Sequence, residues 1–319
     1  TGSVPLLIAL VCALFMSRKL TKPLEQLKEA AERIKGGYYE EHVSIESGDE
    51  LSDFADAFNA MQSEISAREQ RIAYQAKHDS LTGLFNRDHA MECLSELIVS
   101  ASETDSPLTV AVLSLNAGQE LSSTLGHEVA DTYLHHSAQL VRQCVDSRFV
   151  VARLELDTFL LIFENTDIES ARQRTGEIAD RLQQGISLPG VNVTVTPRVG
   201  ISGYPDHGST REKLMLRATI AKSESTARNQ LISIYQDGEE EQRVRNMALL
   251  HDLRSAADND WLVMHYQPKI CIADQSVCGV EALIRWDHPD YGWLSPNEFV
   301  PLIEQSGNIA ILTRWAIQK

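Results

Sequence analysis

The 319-residue sequence predicts a multidomain protein in which a membrane helix and a helical coiled coil precede α/β domains. Three observations predict this order. The run from Val4 to Met16 is almost wholly apolar. Apolar residues then recur at alternating spacings of four and three, the period of a helix seam that faces a partner helix. From about residue 108, short apolar runs alternate with helical segments, which indicates sheets covered by helices.

The composition is that of a folded protein and argues against one class of partner. Hydrophobic residues make up 43% of the chain and charged residues 23%, which excludes a disordered chain. The net charge of −16 repels polyanions, and no basic cluster offsets it, so no nucleic acid polymer is expected as a partner. The five cysteines form no Cys-x-x-Cys pair, which favours reduced thiols.

Residues 1–17 are predicted to be the end of a transmembrane helix. The apolar run is followed directly by Arg18 and Lys19, which mark the cytoplasmic side of a span. A complete span needs about 20 apolar residues, so we expect the helix to begin before Thr1. A signal peptide, which carries its charges ahead of the apolar core, and a buried soluble helix are the alternatives.

Residues 18–70 are predicted to form two heptad helices joined by a connector. The first seam consists of Leu20, Leu24, Leu27, Ala31 and Ile34. Gly36 and Gly37 end that helix, and Ser47 with Glu50 offers a capping box for the next one. The second seam consists of Phe54, Phe58, Met61, Ile65 and Ile72, with Arg68 at its polar position.

The segments Pro23-x-Glu25 and Asp49-Glu50-Leu51 resemble the two signatures of a HAMP module. This family forms a parallel four-helix bundle from two chains, so the resemblance implies a homodimer. Such a bundle can relay a small shift between packing states. The alternative is an amphipathic helix pair that packs on its own globular domain.

The segment from Asp79 to Arg87, read as DSLTGLFNR, resembles the opening of GGDEF domains, which condense two GTP molecules into cyclic di-GMP. We assign residues 71–236 to this domain. The pattern predicts a strand over 108–115, a hairpin over 153–163, helices over 168–184 and 211–228, and a strand over 193–201. This order agrees with the α/β, nucleotidyl-cyclase-like fold that the resemblance implies.

The residues that carry the chemistry of this family are mostly replaced. The signature loop reads Glu155, Leu156, Asp157, Thr158 and Phe159. Metal-assisted phosphoryl transfer needs carboxylates, yet Ser114 and Asn116 stand at the family's acidic positions, and the product site aligns with Asp146 and Phe149. We therefore predict a degenerate, catalytically inactive domain.

One residue of the family's guanine-recognition pair is retained in this domain. Asp131 is kept, whereas Ser122 replaces the family's Asn. Asp131 is therefore a candidate residual contact for GTP. The alternative is that Gly126, His127 and Asp131 only begin a helix.

Three blocks near the end of the chain resemble the opening of an EAL domain, a family that hydrolyses or senses cyclic di-GMP. They are Tyr266-Gln267-Pro268, the run from Glu281 to Trp286, and the run from Ser295 to Pro301. The family fold is a variant of the (β/α)8 barrel, which takes about 250 residues. Residues 241–319 are therefore expected to be the N-terminal part of a barrel that is truncated here.

The resemblance implies a site on the second strand of this segment. Side chains two apart on a strand share a face, so Glu281, Leu283 and Arg285 point together. By the resemblance, Glu281 is catalytic and binds magnesium or manganese, while Gln267, Leu283 and Arg285 contact cyclic di-GMP. A solvated or ion-paired surface feature is the alternative for Glu281 and Arg285, and Ser295, Pro296 and Glu298 are read as helix-start residues.

Together the resemblances give one leading hypothesis and one rival. The first is a phosphodiesterase of the bacterial inner membrane, with its HAMP, GGDEF and EAL parts in the cytoplasm and the inactive GGDEF domain as regulator. Residues 1–319 alone are expected to be inactive, because one metal ligand on an open barrel cannot assemble the site. The rival is a non-catalytic cyclic di-GMP receptor that signals through the HAMP helices.

Overall fold

The computed structural model describes residues 21–39, 41–45, 50–188 and 191–319. The predicted membrane segment and the Ser47 cap lie outside these residues. Among the described residues, no helix is both long enough and apolar enough to cross a membrane.

Two helices joined by a connector form the N-terminal part of the described chain. Helix α1 spans Lys22–Lys35 and ends at Gly36, followed by Gly37 at φ +85°, as the sequence predicts. Helix α2 spans Glu50–Lys77 without interruption. The two helices and the connector bury a small core of Leu27, Ala30, Val43 and Ala55.

Of the residues in the two heptad seams, some are buried in this core and others are exposed to solvent. Leu27, a residue of the first seam, is buried against its own chain. Leu24, Phe54, Met61 and Ile72 are each about half exposed or more. The described chain therefore presents an apolar stripe along these helices, mainly on α2.

The middle domain is a five-stranded sheet with helices on both faces. Its elements are α3 (Arg87–Thr104), β1 (Leu108–Ser114), α4 (Gly118–Leu125), α5 (His127–Cys144), β2 (Val150–Glu155), β3 (Thr158–Glu164), α6 (Ile168–Gln183), β4 (Ile186–Leu188), β5 (Val191–Val193), β6 (Arg198–Tyr204), α7 (Arg211–Ala227) and β7 (Ile232–Ile234). The strand order is β2-β3-β1-β6-β7, with only β6 and β7 parallel. Strands β4 and β5 form a separate hairpin.

The fully buried strand β1 lies at the centre of this sheet. Helices α5 and α6 pack on one face of the sheet, and helices α3 and α7 pack on the other. Helix α7 approaches β6 so closely at Gly200 that a Cβ there would lie 2.0 Å from the carbonyl oxygen of Ala218. The predicted hairpin and helices of this domain are confirmed.

The C-terminal segment packs three helices on a small antiparallel sheet. It comprises α8 (Glu239–Asp258), β8 (Leu262–Ile270), β9 (Val277–His288), β10 (Gly292–Leu294), α9 (Pro296–Gln305) and α10 (Ile309–Gln318). The strand order is β10-β9-β8, and Trp286, Phe299 and Trp315 lie in the core beneath it. Strands β8, β9 and β10 pair with one another as an antiparallel sheet, and the barrel of which this segment is expected to be the N-terminal part stays a prediction.

Candidate functional site

Strands β8 and β9 bring the four predicted EAL residues onto one surface. Gln267 pairs directly with Glu281 in the antiparallel register, and Val263 pairs with Arg285. Leu283, between Glu281 and Arg285, pairs with His265. Directly opposed residues of an antiparallel pair project from the same face, so Gln267, Glu281, Leu283 and Arg285 share it.

The charged groups on this face are accessible. The Glu281 carboxylate is about half exposed, and its Oε2 lies 3.5 Å from Lys269 Nζ. An exposed ion pair of this kind contributes little to stability, so the carboxylate can exchange its partner. Lys269 was not predicted as a site residue, although its position two residues after Gln267 places it on the same face.

This face supplies one carboxylate toward a divalent metal. Magnesium and calcium take about six or more oxygen ligands, and Glu281 has the right donor chemistry. Within the described residues, however, no group of three or more His, Cys, Asp or Glu side chains could hold a metal ion. The described residues therefore do not by themselves fit a magnesium or manganese site.

The degenerate signature loop of the middle domain forms the turn between β2 and β3. Leu156 adopts φ +38° and is 71% exposed. The Arg153 guanidinium donates to the carbonyl oxygen of Leu156 from Nε at 2.9 Å and from Nη2 at 2.7 Å. The turn thus keeps a left-handed backbone, which favours glycine, although it carries leucine.

Arg153 also ties this turn to the opening segment of the domain. Its Nη1 donates to Asp79 Oδ1 at 3.1 Å and to Oδ2 at 3.2 Å. Burial acts to raise the pKa of Asp79, but hydrogen bonds from Thr82 and the Arg153 charge outweigh it, so the pKa is lowered. Asp79 therefore stays ionised, and its ion pair with Arg153 holds the turn to the opening segment of the domain.

Asp157, the acidic residue kept in the signature loop, is turned inward. Its Oδ2 accepts hydrogen bonds from the backbone N–H groups of Ala117 and Gly118, both at 2.8 Å. Its Oδ1 accepts from Ser114 Oγ at 3.4 Å. With the side chain buried, this carboxylate holds the β2–β3 turn to the start of α4.

The other loop residues add no carboxylate that faces Asp157. Thr158 is buried and Phe159 lies fully in the core, while Glu155 is exposed at the end of β2. At the aligned product site, Phe149 is buried and Asp146 pairs with Arg148 at 3.5 Å.

At the start of α5, Gly126 and His127 have structural roles. Gly126 precedes the helix at φ +88°, and His127 Nδ1 lies 2.7 Å from Ser122 Oγ. Asp131 lies one turn into α5 and is exposed. Its role as a nucleotide contact remains a prediction.

Comparison with known families divides the chain into three segments in the predicted order. Residues 15–67 match the HAMP domain model, residues 76–230 the model described as diguanylate cyclase, GGDEF domain, and residues 250–319 the EAL domain model. The chain therefore contains segments of the HAMP, GGDEF and EAL families, in that order.

Among curated proteins, it is similar to MucR of Pseudomonas aeruginosa, described as a bifunctional diguanylate cyclase/cyclic di-GMP phosphodiesterase. The two are 32% identical over 256 residues, covering 79% of this chain and 37% of MucR. This chain thus spans well under half of that relative.

Two solved structures support the fold. The GGDEF domain of TpbB, also called YfiN, from Pseudomonas aeruginosa covers 51% of this chain and 97% of its own, with 27% identity and a TM-score of 0.50. An S helix-GGDEF-EAL structure of Vibrio cholerae LapD, solved bound to c-di-GMP, covers 80% of this chain and 60% of its own. Its sequence identity to this chain is 18% and its TM-score is 0.55, so it supports the fold and nothing further.

Proposed function

We propose that the full-length protein is a cyclic di-GMP phosphodiesterase of the bacterial inner membrane, with its signalling domains in the cytoplasm. The observation that carries this proposal is the shared face of β8 and β9, where Gln267 opposes Glu281 and Arg285 lies four residues further along the strand. MucR, named as a bifunctional diguanylate cyclase/cyclic di-GMP phosphodiesterase, supports the substrate class.

The residues on this face have chemistry that suits a cyclic dinucleotide. Arg285 offers the planar fork of donors that recognises a phosphate, and Gln267 offers an amide for hydrogen bonding. Leu283 gives an apolar surface between the charged groups. Glu281 would contribute one oxygen ligand for the magnesium or manganese ion that the EAL family uses, and the remaining ligands would come from other residues of a complete EAL domain.

In this proposal, the GGDEF domain regulates and does not synthesise. The inward position of Asp157 and the replacements Ser114 and Thr158 support this role, because they leave no pair of exposed carboxylates at the loop. Asp131 is then the remaining candidate contact for GTP.

The rival function is a cyclic di-GMP receptor without catalysis. It is favoured by one observation: Glu281 Oε2 lies 3.5 Å from Lys269 Nζ, so this carboxylate already has a cationic partner without a metal. Such a receptor would use the same face of β8 and β9 for binding and pass its occupancy to the HAMP helices.

Hydrolysis and binding measured on the same full-length protein separate the two functions. With magnesium or manganese, we expect linear dinucleotide from cyclic di-GMP, seen by chromatography. Glu281→Ala should abolish product while calorimetry still detects binding, and Asp258→Asn, on the exposed end of α8, should change neither. Binding by the wild type without linear product under either metal would establish the receptor instead.

A further inference from the structure

Helix α8 is shared by the GGDEF domain and the EAL segment. In its first turn, Glu240 pairs with Arg217 of helix α7, and Glu239 pairs with Arg228, the residue that follows α7. Its second half contributes Leu249, Leu253 and Ala256 to the C-terminal core. One continuous helix of 20 residues therefore belongs to both folded units.

A cluster around Tyr235 fixes the first turn of α8 to α7. Tyr235 is 2% exposed, and the Arg217 guanidinium carbon lies 4.7 Å from its ring centre. Arg217 Nε lies 3.6 Å from Glu240 Oε2, and Arg228 Nη2 donates to Glu239 Oε1 at 3.0 Å. Arg217 thus joins a buried aromatic ring on one side to a carboxylate of α8 on the other.

The same helix contacts the elements that surround β9. Arg245 Nη2 donates to Glu298 Oε2 at 2.9 Å, at the start of α9. Asp252 Oδ2 lies 3.3 Å from Nε2 of the fully buried His288, at the end of β9. From residue 240 to residue 252, an α-helix spans about 18 Å.

We propose that α8 rigidly couples the GGDEF domain to strand β9, and that Arg217 holds the first turn of α8 to α7. A shift of α7 is transmitted to α8 through the Arg217 cluster, and from α8 to β9 through the pair of Asp252 and His288. Because β9 carries Glu281, the inference rests on the proposed function for its consequence. Its physical content, the coupling itself, does not need a nucleotide.

Hydrogen exchange of the 319-residue chain tests this coupling. Losing the ring contact and the ion pair in Arg217→Gln should raise amide exchange over residues 243–248 of α8 about tenfold. The change should also reach residues 286–288 of β9, with a rise of about threefold. Amides of the central strand β1 should not change.

Tyr235→Phe is the matched control. The Tyr235 hydroxyl is buried and has no hydrogen-bond partner within the described part of the chain, so its loss leaves the ring beneath Arg217. We expect wild-type exchange in this variant. Glu240→Gln removes the ion pair from the α8 side without touching α7, and it should reproduce the Arg217→Gln pattern in weaker form.

Two results would overturn the inference. The first is unchanged exchange over 243–248 in both Arg217→Gln and Glu240→Gln, and the second is a rise there that never reaches 286–288. If Arg217→Gln also loosens β1, the Glu240→Gln result decides alone. Since no nucleotide is present, these outcomes are independent of whether the full-length protein hydrolyses cyclic di-GMP.

Discussion

Asp157 shows how a residue at a catalytic position can serve the fold. In the sequence it is an acidic residue of the degenerate signature loop. In the structure its carboxylate oxygens are engaged by Ala117, Gly118 and Ser114. The sequence could not indicate this role, because the contacts join residues about 40 positions apart.

Replacing Asp157 should therefore weaken the fold. Asp157→Ala leaves the backbone N–H groups of Ala117 and Gly118 without their acceptor, which costs roughly 1–3 kcal/mol for a buried polar group. Asp157→Asn keeps one oxygen acceptor and should lose less. Urea unfolding measures both variants, and a loss of only a few tenths of a kcal/mol in Asp157→Ala would contradict this role.

His207 makes the stability of the GGDEF domain depend on pH. Its Nδ1 accepts a hydrogen bond from the Gly203 N–H at 3.2 Å, which requires the neutral ring. Burial lowers its pKa, and Arg217 acts in the same direction. The carboxylates that oppose this shift are those of Asp206, Asp237 and Glu239.

The lowered pKa predicts the direction of the effect. The unfolded chain binds a proton at His207 near pH 6.5, whereas the folded chain does so only at a lower pH. The stabilisation is therefore complete above about pH 6.5 and decreases as the pH falls through the folded pKa. Urea unfolding at neutral pH and at about pH 5.5 should show this loss, and a His207→Gln variant with the same pH dependence as wild type would refute it.

At the scale of elements, the sequence predicted what depends on local patterns. The helices over 168–184 and 211–228 and the hairpin over 153–163 were found within one or a few residues. Their periodicity and caps are local signals, such as Asp167 Oδ1 accepting from the Ser170 N–H at 2.9 Å.

The burial of Leu27 could not be predicted in the same way. Both Leu24 and Leu27 fit the heptad, but only the fold of the connector shows which of them is covered. Asn59 of α2 holds the connector in place. Its Oδ1 accepts a hydrogen bond from the Val43 N–H at 2.9 Å, and its Nδ2 donates to the Val43 carbonyl oxygen at 2.8 Å.

The exposed stripe on α2 predicts a parallel pairing of two chains. Met61 is 48% exposed, and burying such a side chain is worth roughly 1.5–3 kcal/mol. In a variant with its native cysteines replaced by serine, Met61→Cys in the full-length protein should cross-link to its counterpart under mild oxidation. Ser63→Cys, on the opposite side of α2, should cross-link poorly.

Equal yields at the two positions would mean that the stripe does not face a second copy. In that case the helices would pack on their own chain, the alternative considered for the HAMP segment.

At the scale of the whole molecule, the described chain links three units by continuous helices. Helix α2 leads from the HAMP core to the GGDEF domain, and α8 leads from there to the C-terminal sheet, which begins with β8. The order of the units was predicted from motifs in the sequence and is confirmed by the family matches. The contact that Arg217 makes between α7 and α8 was not predicted, because Arg217 and Tyr235 belong to no motif and meet only in the folded chain.

The most direct test of this account follows both reactions in one sample of the full-length protein. Labelled GTP and unlabelled cyclic di-GMP are supplied together with magnesium or manganese, and products are separated by chromatography. We predict unlabelled linear dinucleotide and no labelled dinucleotide, whether cyclic or linear. A labelled dinucleotide in either form would contradict the regulatory role assigned to the GGDEF domain, and the absence of linear dinucleotide would contradict the catalytic role assigned to Glu281.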